Sequence, residues 1–268
     1  MKTKIAIISN NYSNCDFPTE WGLSIYVEHG GKKMLVDTGC SDMFMRNAQQ
    51  MNIDLGAVDY IILTHRHFDH VDGMRLFPFS GQKIFVHEDF FGDFYKFIAG
   101  NYKSDKVEWD RSKLNGEHTF IFNDAFTQVC NGIYLSGTVP RPYGTPKNHY
   151  FKKDGDDYLP DIVSDEQFVI LEQPDGLIII SGCTHFGIEN MTVLIRDRFP
   201  NKKVKALFAG LHTGLQDGSD VEKVIRHLDE CGLYQRVYAL HCTGEEVGMA
   251  IEKKLGGRHV FVGEVFEL

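Results

Sequence analysis

Short apolar runs recur along the chain and predict β-strands, because they are rich in Val, Ile, Tyr and Phe and bounded by Gly, Asn or Asp. A first series lies at Lys4–Ser9, Leu23–Glu28, Lys33–Val36, Val58–Leu63, Lys83–Val86 and in a group between Thr119 and Leu135. A second series lies at Gln167–Leu171, Leu177–Ser181, Val204–Ala209, Arg236–Leu240 and His259–Val262. Runs such as YIIL and LIII are apolar at every position, which is typical of strands in a sheet covered on both faces.

Helical periodicity separates the strands of the second series. An apolar stripe predicts a helix over Asp220–Glu230. A second helix is predicted from about Gly244 to Leu255, where Thr243 and Glu246 form a capping-box pattern. This order of elements favours an α/β chain folded as an αββα four-layer sandwich, in which two sheets pack together and helices lie outside.

The stretch from Glu88 to Asp165 is the least regular part of the pattern. Asp89–Ala99 carries five aromatic residues and is a helix candidate, and its aromatics are expected to pack in the core or to bind a ligand. The polar loop from Tyr143 to Asp161 is longer than a simple connection needs and can form a lid. We therefore expect one domain over residues 1–268, with a lid insertion within 88–165.

The composition limits the classes of partner that the protein is expected to bind. The 268 residues carry 28 Lys and Arg against 37 Asp and Glu, a net charge of −9, and no cluster of basic residues. This balance disfavours nucleic acid and anionic membranes as partners, so a small-molecule substrate is expected. The composition does not indicate an oligomeric state. The longest apolar runs, Leu177–Ile180 among them, are far below the roughly 18 residues of a membrane span. The six scattered cysteines are expected to be mostly free thiols, and we expect a cytoplasmic protein.

The strongest chemical signal is the run THRHFDH at positions 64–70, directly after a predicted buried strand. Residues i and i+2 of an extended segment point to the same side, so His65 and His67 can bind one metal ion together. Asp69 and His70 can then reach a second position as the chain turns into a helix. Burying these side chains without a metal would leave several polar groups unsatisfied, which favours a metal site.

Three further histidines follow the ends of predicted strands. They are His185 in SGCTH, His212 in AGLHTG and His241 in LHCTG. The carboxyl ends of strands are where α/β sheets gather ligands and catalytic groups, so these side chains are candidates to complete the site.

The run THRHFDHVDG, together with Asp37 in VDTG, resembles the HxHxDH signature of the metallo-β-lactamase superfamily. The segments WGLSIYVEHGGKKMLVDTG, GTVPRP, LPDIVSDEQFVI, SGCTHFGIEN, AGLHTG and HCTG resemble its branch of 7,8-dihydropterin-6-methyl-4-(β-D-ribofuranosyl)aminobenzene-5′-phosphate synthase-like metal-dependent hydrolases. The resemblance runs over nearly the whole chain and implies the four-layer metallo-β-lactamase fold.

The resemblance also implies roles for individual residues. His65 and His67 would bind the first metal, while Asp69, His70 and His241 would bind the second. Asp37 would accept a hydrogen bond that orients a ligand imidazole.

Two departures from the superfamily pattern affect the ligand set. The segment SGTVPRP lacks the usual histidine, and Gly182-Cys183-Thr184-His185 stands where a bridging carboxylate is expected. We assign His185 as the missing ligand. Cys183 is the alternative, because a thiolate is a reasonable ligand for Zn.

Two divalent ions, with Zn as the expected metal and Mn or Fe as alternatives, would lower the pKa of a shared water from 15.7 toward about 7. Asp69 would then be both ligand and proton acceptor, and His212 a ligand, proton donor or substrate contact. Backbone N–H groups at Thr243 and Gly244 could hold a phosphate, and Arg141 is the candidate side chain for the same group.

Three functions remain open from the sequence. The first is metal-dependent hydrolysis of an ester or phosphoester. The second is the transfer that the branch name implies, joining a dihydropterin pyrophosphate to a ribofuranosyl-aminobenzene phosphate. The third is a diiron redox or oxygen-sensing protein, against which His67 argues because redox relatives tend to carry glutamate there.

Overall fold

The computed structural model describes residues 2–104, 107, 114, 117–214 and 218–268, with the backbone alone at 218–220. The described strands are β1 (Lys4–Ser9), β2 (Ser24–His29), β3 (Lys32–Val36), β4 (Tyr60–Ile62), β5 (Lys83–His87), β6 (Tyr95–Ile98), β7 (Asn101–Ser104), β8 (Thr119–Asn123), β9 (Thr127–Cys130), β10 (Ile133–Leu135), β11 (Tyr150–Asp154), β12 (Asp157–Pro160), β13 (Phe168–Gln173), β14 (Gly176–Ser181), β15 (Val204–Ala209), β16 (Val237–Ala239), β17 (Arg258–His259) and β18 (Val265–Glu267). The described helices are α1 (Met43–Gln50), α2 (Phe68–Val71), α3 (Ile188–Arg198), α4 (Gly218–Glu230) and α5 (Glu245–Lys254), with short 3-10 helices at Leu55–Ala57, Asp72–Leu76, Glu88–Phe91 and His241–Thr243.

Two seven-stranded sheets organise the fold. The first has the order β18-β1-β2-β3-β4-β5-β8, and the second has the order β17-β16-β15-β14-β13-β10-β9. Each sheet is antiparallel on one side and parallel on the other. The parallel strands are β3, β4, β5 and β8 in the first sheet and β14 to β17 in the second. Because parallel strands end at one edge of a sheet, the loops that follow them lie side by side.

The apolar side chains of the described residues form three separate cores, as a four-layer molecule requires. On β1, Ile5 and Ile7 face the core between the sheets, while Ala6 and Ile8 face an outer core that includes Phe44 of α1. On β14, alternate residues likewise divide between the central core and a second outer core, which α3, α4 and α5 cover. The predicted αββα sandwich is therefore confirmed.

The prediction of a helix at Asp89–Ala99 is wrong. Residues Glu88–Phe91 form a 3-10 helix, which ends at Gly92 in extended conformation, and Tyr95–Ile98 form β6. The aromatic side chains of Tyr95 and Phe97 are two residues apart, so they share one face of a strand. The segment is a strand rather than a helix because β6 pairs with β7 and β11, in a third sheet of order β12-β11-β6-β7.

The third sheet occupies part of the predicted insertion at 88–165, and residues 105–106, 108–113 and 115–116 of that segment lie outside the described residues. The division into one domain with a lid stays a prediction. Among the helices that the structure describes, none is long and apolar enough to cross a membrane.

Candidate metal centre

The candidate site is built from loops at the carboxyl ends of parallel strands. The first sheet supplies Asp37 after β3 and residues 63–70 after β4, and the second supplies residues 182–185 after β14. His212 follows β15 and His241 follows β16. The site therefore lies where the edges of the two sheets meet, and its side chains come from both halves of the chain.

The backbone is strained in these loops. Asp37, Thr184, His212 and His241 have φ of 58°, 58°, 50° and 45° respectively, in the left-handed region that non-glycine residues rarely adopt. Such conformations cost free energy and persist where the surrounding structure enforces them, commonly at functional sites. Four of them around one site indicate that the positions of these side chains are tightly constrained.

Three imidazole nitrogens meet in this site. The Nε2 atoms of His65, His67 and His185 are buried and have no hydrogen-bond partner among the described residues. The ligand atoms of these three histidines lie within 4.8 Å of one another. Buried polar atoms are normally satisfied, and three convergent nitrogens match the ligand set of a catalytic metal site. The residues present therefore fit a divalent metal ion.

Asp69, His70 and His241 form a second group whose ligand atoms also lie within 4.8 Å of one another. His241 donates its Nδ1–H to Asn11 Oδ1 at 2.8 Å, and its Nε2 lies 3.1 Å from Asp69 Oδ2. Burial lowers the pKa of His241, which favours the neutral ring. A neutral ring that donates through Nδ1 points a lone pair at the Asp69 carboxylate, an arrangement that a cation between them would stabilise.

Cys183 lies between the two groups. Its Sγ is 3.1 Å from His70 Nε2, and it forms a compact cluster with His65 and His70 and another with His241 and Cys242. Burial, together with the neighbouring Cys242, raises the pKa of the Cys183 thiol well above its usual value. The alternative ligand from the sequence thus lies within reach of a metal, along with His185.

Asp37 orients two of the imidazoles. Its Oδ2 accepts a hydrogen bond from His70 Nδ1 at 2.7 Å and another from Thr64 Oγ1 at 2.7 Å. Because that hydroxyl donates to Asp37, it accepts from His65 Nδ1 at 3.0 Å. Both rings therefore use Nδ1 for the protein and present Nε2 to the centre of the site, which is the geometry that the predicted orienting role of Asp37 requires.

The charges of the site depend on burial. Burial, reinforced by the neighbouring rings, lowers the pKa values of His65, His67 and His185 well below normal, which keeps them in the neutral form that binds metals. Burial alone would lower the pKa of His70, but the Asp37 carboxylate raises it to about 9. Burial opposes the ionisation of Asp69, but the neighbouring imidazoles of His241 and His70 outweigh this and lower its pKa.

The two groups open onto a cavity of about 270 Å³. It is lined by Trp21, His67, Phe68, Asp69, Lys96, His149, Tyr150, Cys183, His185, His212, His241 and Cys242. His212 belongs to the wall: its ring lies 4.3 Å from that of His185, and burial lowers its pKa to about 4. Both predicted catalytic side chains, Asp69 and His212, therefore face the same space.

Comparison with known proteins identifies the family. Residues 22–209 match the family model of the metallo-β-lactamase superfamily, a span that includes the HxHxDH run and His185. The chain belongs to the metallo-β-lactamase superfamily. This confirms the resemblance and the fold predicted from the sequence.

Two relatives of this superfamily member come from Methanocaldococcus jannaschii. An uncharacterised protein is 27% identical over 245 residues, which cover 90% of each chain. A 7,8-dihydropterin-6-methyl-4-(β-D-ribofuranosyl)-aminobenzene-5′-phosphate synthase is 28% identical over 260 residues, with 90% of this chain and 87% of that protein covered.

Solved structures agree on the superfamily fold. A metal-dependent hydrolase of the β-lactamase superfamily is 25% identical and has a TM-score of 0.85, with 99% of each chain covered. Zn²⁺-bound PqqB from Methylobacterium extorquens has a TM-score of 0.59 at 12% identity, with 99% of this chain and 100% of that chain covered. At that identity the likeness of PqqB shows the fold alone.

Three predicted substrate-binding residues of this superfamily member lie away from the cavity. Arg141 donates to the carbonyl oxygen of Val163 at 3.0 Å, so its guanidinium holds a loop together. Thr243 and Gly244 line a separate cleft whose walls include Glu222, Glu245 and Glu246, which disfavours an anion there. Thr243 Oγ1 donates within its own turn to Leu240 O at 2.7 Å.

Sequence reasoning missed several residues of the site. Asn11 fixes His241 from 230 residues away, and Trp21 lies with its ring 5.2 Å from that of His241. Tyr150 stacks on His67 with ring centroids 4.0 Å apart. Lys96 lies on the strand that was predicted as a helix. For Lys96, the signal in the sequence was the alternation of residues along β6. The contacts of the other residues depend on how distant segments pack, so no local pattern predicts them.

Proposed function

We propose that this protein is a metal-dependent hydrolase that holds two divalent metal ions and cleaves an ester or phosphoester of a small molecule. The observation that carries the proposal is the set of three buried Nε2 atoms, without a hydrogen-bond partner in the described part of the chain, beside the Asp69, His70 and His241 group. The match to the metallo-β-lactamase superfamily and the likeness to a metal-dependent hydrolase support it.

In this proposal His65, His67 and His185 hold one ion, and Asp69, His70 and His241 hold the other, with Cys183 in reach of both. Zn is the expected metal, because imidazole ligands suit it. When bound, such ions act as Lewis acids on the reacting carbonyl or phosphoryl group and lower the pKa of water.

The side chains of the protein then position the reacting groups and accept protons from them. Asp69 is ionised because the neighbouring imidazoles, His70 among them, favour its charged form, so its carboxylate can accept a proton from the attacking water. His212 is neutral at pH 7 and faces the cavity, where its ring can contact the leaving group. The metal-binding side chains that line the cavity are buried, and the lower dielectric around them strengthens these electrostatic interactions.

The hydrolase proposal is tested with chromogenic 4-nitrophenyl esters and bis-4-nitrophenyl phosphate, assayed with and without added Zn²⁺, Mn²⁺ or Fe²⁺. We expect turnover that a chelator abolishes and that the metal restores. Asp69→Asn is expected to reduce kcat by at least about 100-fold, as loss of a positioned acid-base group does. Turnover that persists in the chelated protein would contradict the proposal.

A second candidate function is transfer, favoured by the similarity to the synthase across 90% of this chain. Here the same metal groups would bind the pyrophosphate leaving group of a dihydropterin substrate, and an arylamine would replace water as the nucleophile. Product analysis with a dihydropterin pyrophosphate and ribofuranosyl-aminobenzene phosphate separates the two functions. A joined product together with an inactive phosphodiester panel would favour transfer.

A further inference from the structure

We propose that Lys96 is the anion-binding residue of the cavity, and that the substrate carries a negatively charged group next to a flat ring. This inference rests on the proposed function for the identity of the reacting site. The residue belongs to the third sheet, which lies against the metal-binding loops through the stacking of Tyr150 on His67.

Lys96 reaches the cavity because of the strand pairing. It lies on β6 opposite Tyr150 of β11 in an antiparallel register, so both side chains lie on the same face of the third sheet. Both line the cavity. The Lys96 ammonium lies 5.3 Å from the centroid of the Tyr150 ring and 5.2 Å from that of Phe68. These cation-π contacts hold the charge at the wall.

The electrostatics of this face differ from those of the molecule as a whole. The protein carries a net charge of −9, whereas the face that carries Lys96 combines Lys103 and Lys152 with Asp154 and Asp157. Lys96 is the one Lys or Arg among the described residues that line the cavity, and Asp69 is the one acidic residue there. Because Asp69 belongs to the metal-binding group, Lys96 supplies the positive charge that a substrate anion would meet at the cavity wall.

The remaining wall suits a flat ring. Trp21 and Phe68 are 48% and 43% exposed although they line the cavity, and Tyr150 presents a third ring. Large rings exposed at a cavity mouth offer faces for offset or edge-to-face stacking. Arg141 is held by a backbone carbonyl elsewhere, so Lys96 is the cation positioned beside these rings.

The test measures binding without turnover. Isothermal titration calorimetry of the metal-loaded protein compares phenylphosphonate, benzoate and neutral benzamide, so the probes separate a phosphate-type anion, a carboxylate and the ring alone. We expect Lys96→Met to weaken phenylphosphonate or benzoate binding about tenfold and to leave benzamide binding unchanged. Lys96→Arg should retain most of the affinity for the anions, because it keeps the charge.

Lys153→Met is the matched control, because Lys153 lies on the next strand but on the opposite face of the third sheet. The control should bind every probe as the wild type does. The proposal is overturned if Lys96→Met binds both anions at wild-type affinity with equal metal content, if Lys153→Met weakens them equally, or if the wild type prefers benzamide. Failure of the hydrolase proposal would show separately, as absent turnover in a protein that still binds the anions through Lys96.

Discussion

Single residues decide which nitrogen each imidazole presents to the centre of the site. Asp37 accepts from His70 directly and from His65 through Thr64, while Asn11 accepts from His241. Each ring therefore uses Nδ1 for the protein and leaves Nε2 for a ligand. Fixed tautomers raise the metal affinity of a site because no reorganisation is needed on binding.

Asp37→Asn should weaken metal binding by about 10- to 100-fold, because the amide nitrogen cannot accept the two hydrogen bonds that Asp37 Oδ2 receives. Competition with a chelator of known affinity measures the change. Asp42→Asn is the control, since Asp42 pairs with Arg46 on the surface. Equal metal affinity in Asp37→Asn and wild type would refute the orienting role of Asp37.

Glu166 is a buried carboxyl near the site whose Oε2 accepts from Phe186 N at 3.0 Å. Burial raises its pKa from 4.5 to about 8, although Arg141 opposes the shift. The folded protein therefore retains this proton where the unfolded chain has lost it. Its contribution to stability is full below about pH 4.5 and is lost as the pH rises through about 8.

Glu166→Gln should remove this pH dependence. We expect the variant and the wild type to unfold at similar urea concentrations at pH 5, and the variant to be more stable at pH 8 by a few kcal/mol at most. Urea midpoints at pH 5, 6.5 and 8 measure the effect. A difference between the two proteins that does not change with pH would count against the raised pKa of Glu166.

At the scale of elements, the third sheet is fastened to the HxHxDH loop by a buried ion pair. Arg66 lies between His65 and His67 in sequence and pairs with Asp161, which directly follows β12. Asp165 Oδ2 accepts from the backbone N of Arg66 at 2.7 Å. The Arg66 guanidinium also lies 4.7 Å from the centroid of the Phe94 ring. The segment that carries Lys96 and Tyr150 is thereby held against the metal-binding loop.

Asp161→Ala should lower the free energy of unfolding by about 3 kcal/mol, because removing one partner leaves the buried Arg66 guanidinium undercompensated. Chemical denaturation measures the loss. Asp42→Ala removes an exposed i,i+4 pair and should cost at most about 0.5 kcal/mol. Equal losses in the two variants would show that the Arg66 pair does not hold the elements together.

The elements differ in how far the sequence could predict them. Strands such as Leu177–Ser181 and the ligand run 65–70 were predictable, because their signals are local: apolar runs, i,i+2 spacing and position after a strand. The segment Asp89–Ala99 was predicted wrongly, because five aromatics in eleven residues fit a helix face as readily as a strand. The contacts of Asn11 with His241 and of Arg66 with Asp161 join residues 230 and 95 positions apart, which no local pattern reveals.

At the scale of the whole molecule, the site joins the two sheets. His65, His67, Asp69 and His70 follow a strand of the first sheet, whereas His185 and His241 follow strands of the second. A metal ion bound by both sets would stabilise the folded state over the unfolded one, since the unfolded chain does not hold these ligands together. The surface is acidic, while the site itself would gain positive charge from the ions.

The central claim is that two metal ions are held by the histidines and Asp69 named above, and metal content per chain tests it most directly. Inductively coupled plasma mass spectrometry of purified, Zn²⁺-equilibrated protein should give two ions for the wild type, one for His185→Ala and two for His212→Ala, whose ring lies outside both ligand groups. A His185→Ala protein that keeps both ions while Cys183→Ala loses one would contradict the ligand assignment, and a wild type without bound metal would contradict the claim as a whole.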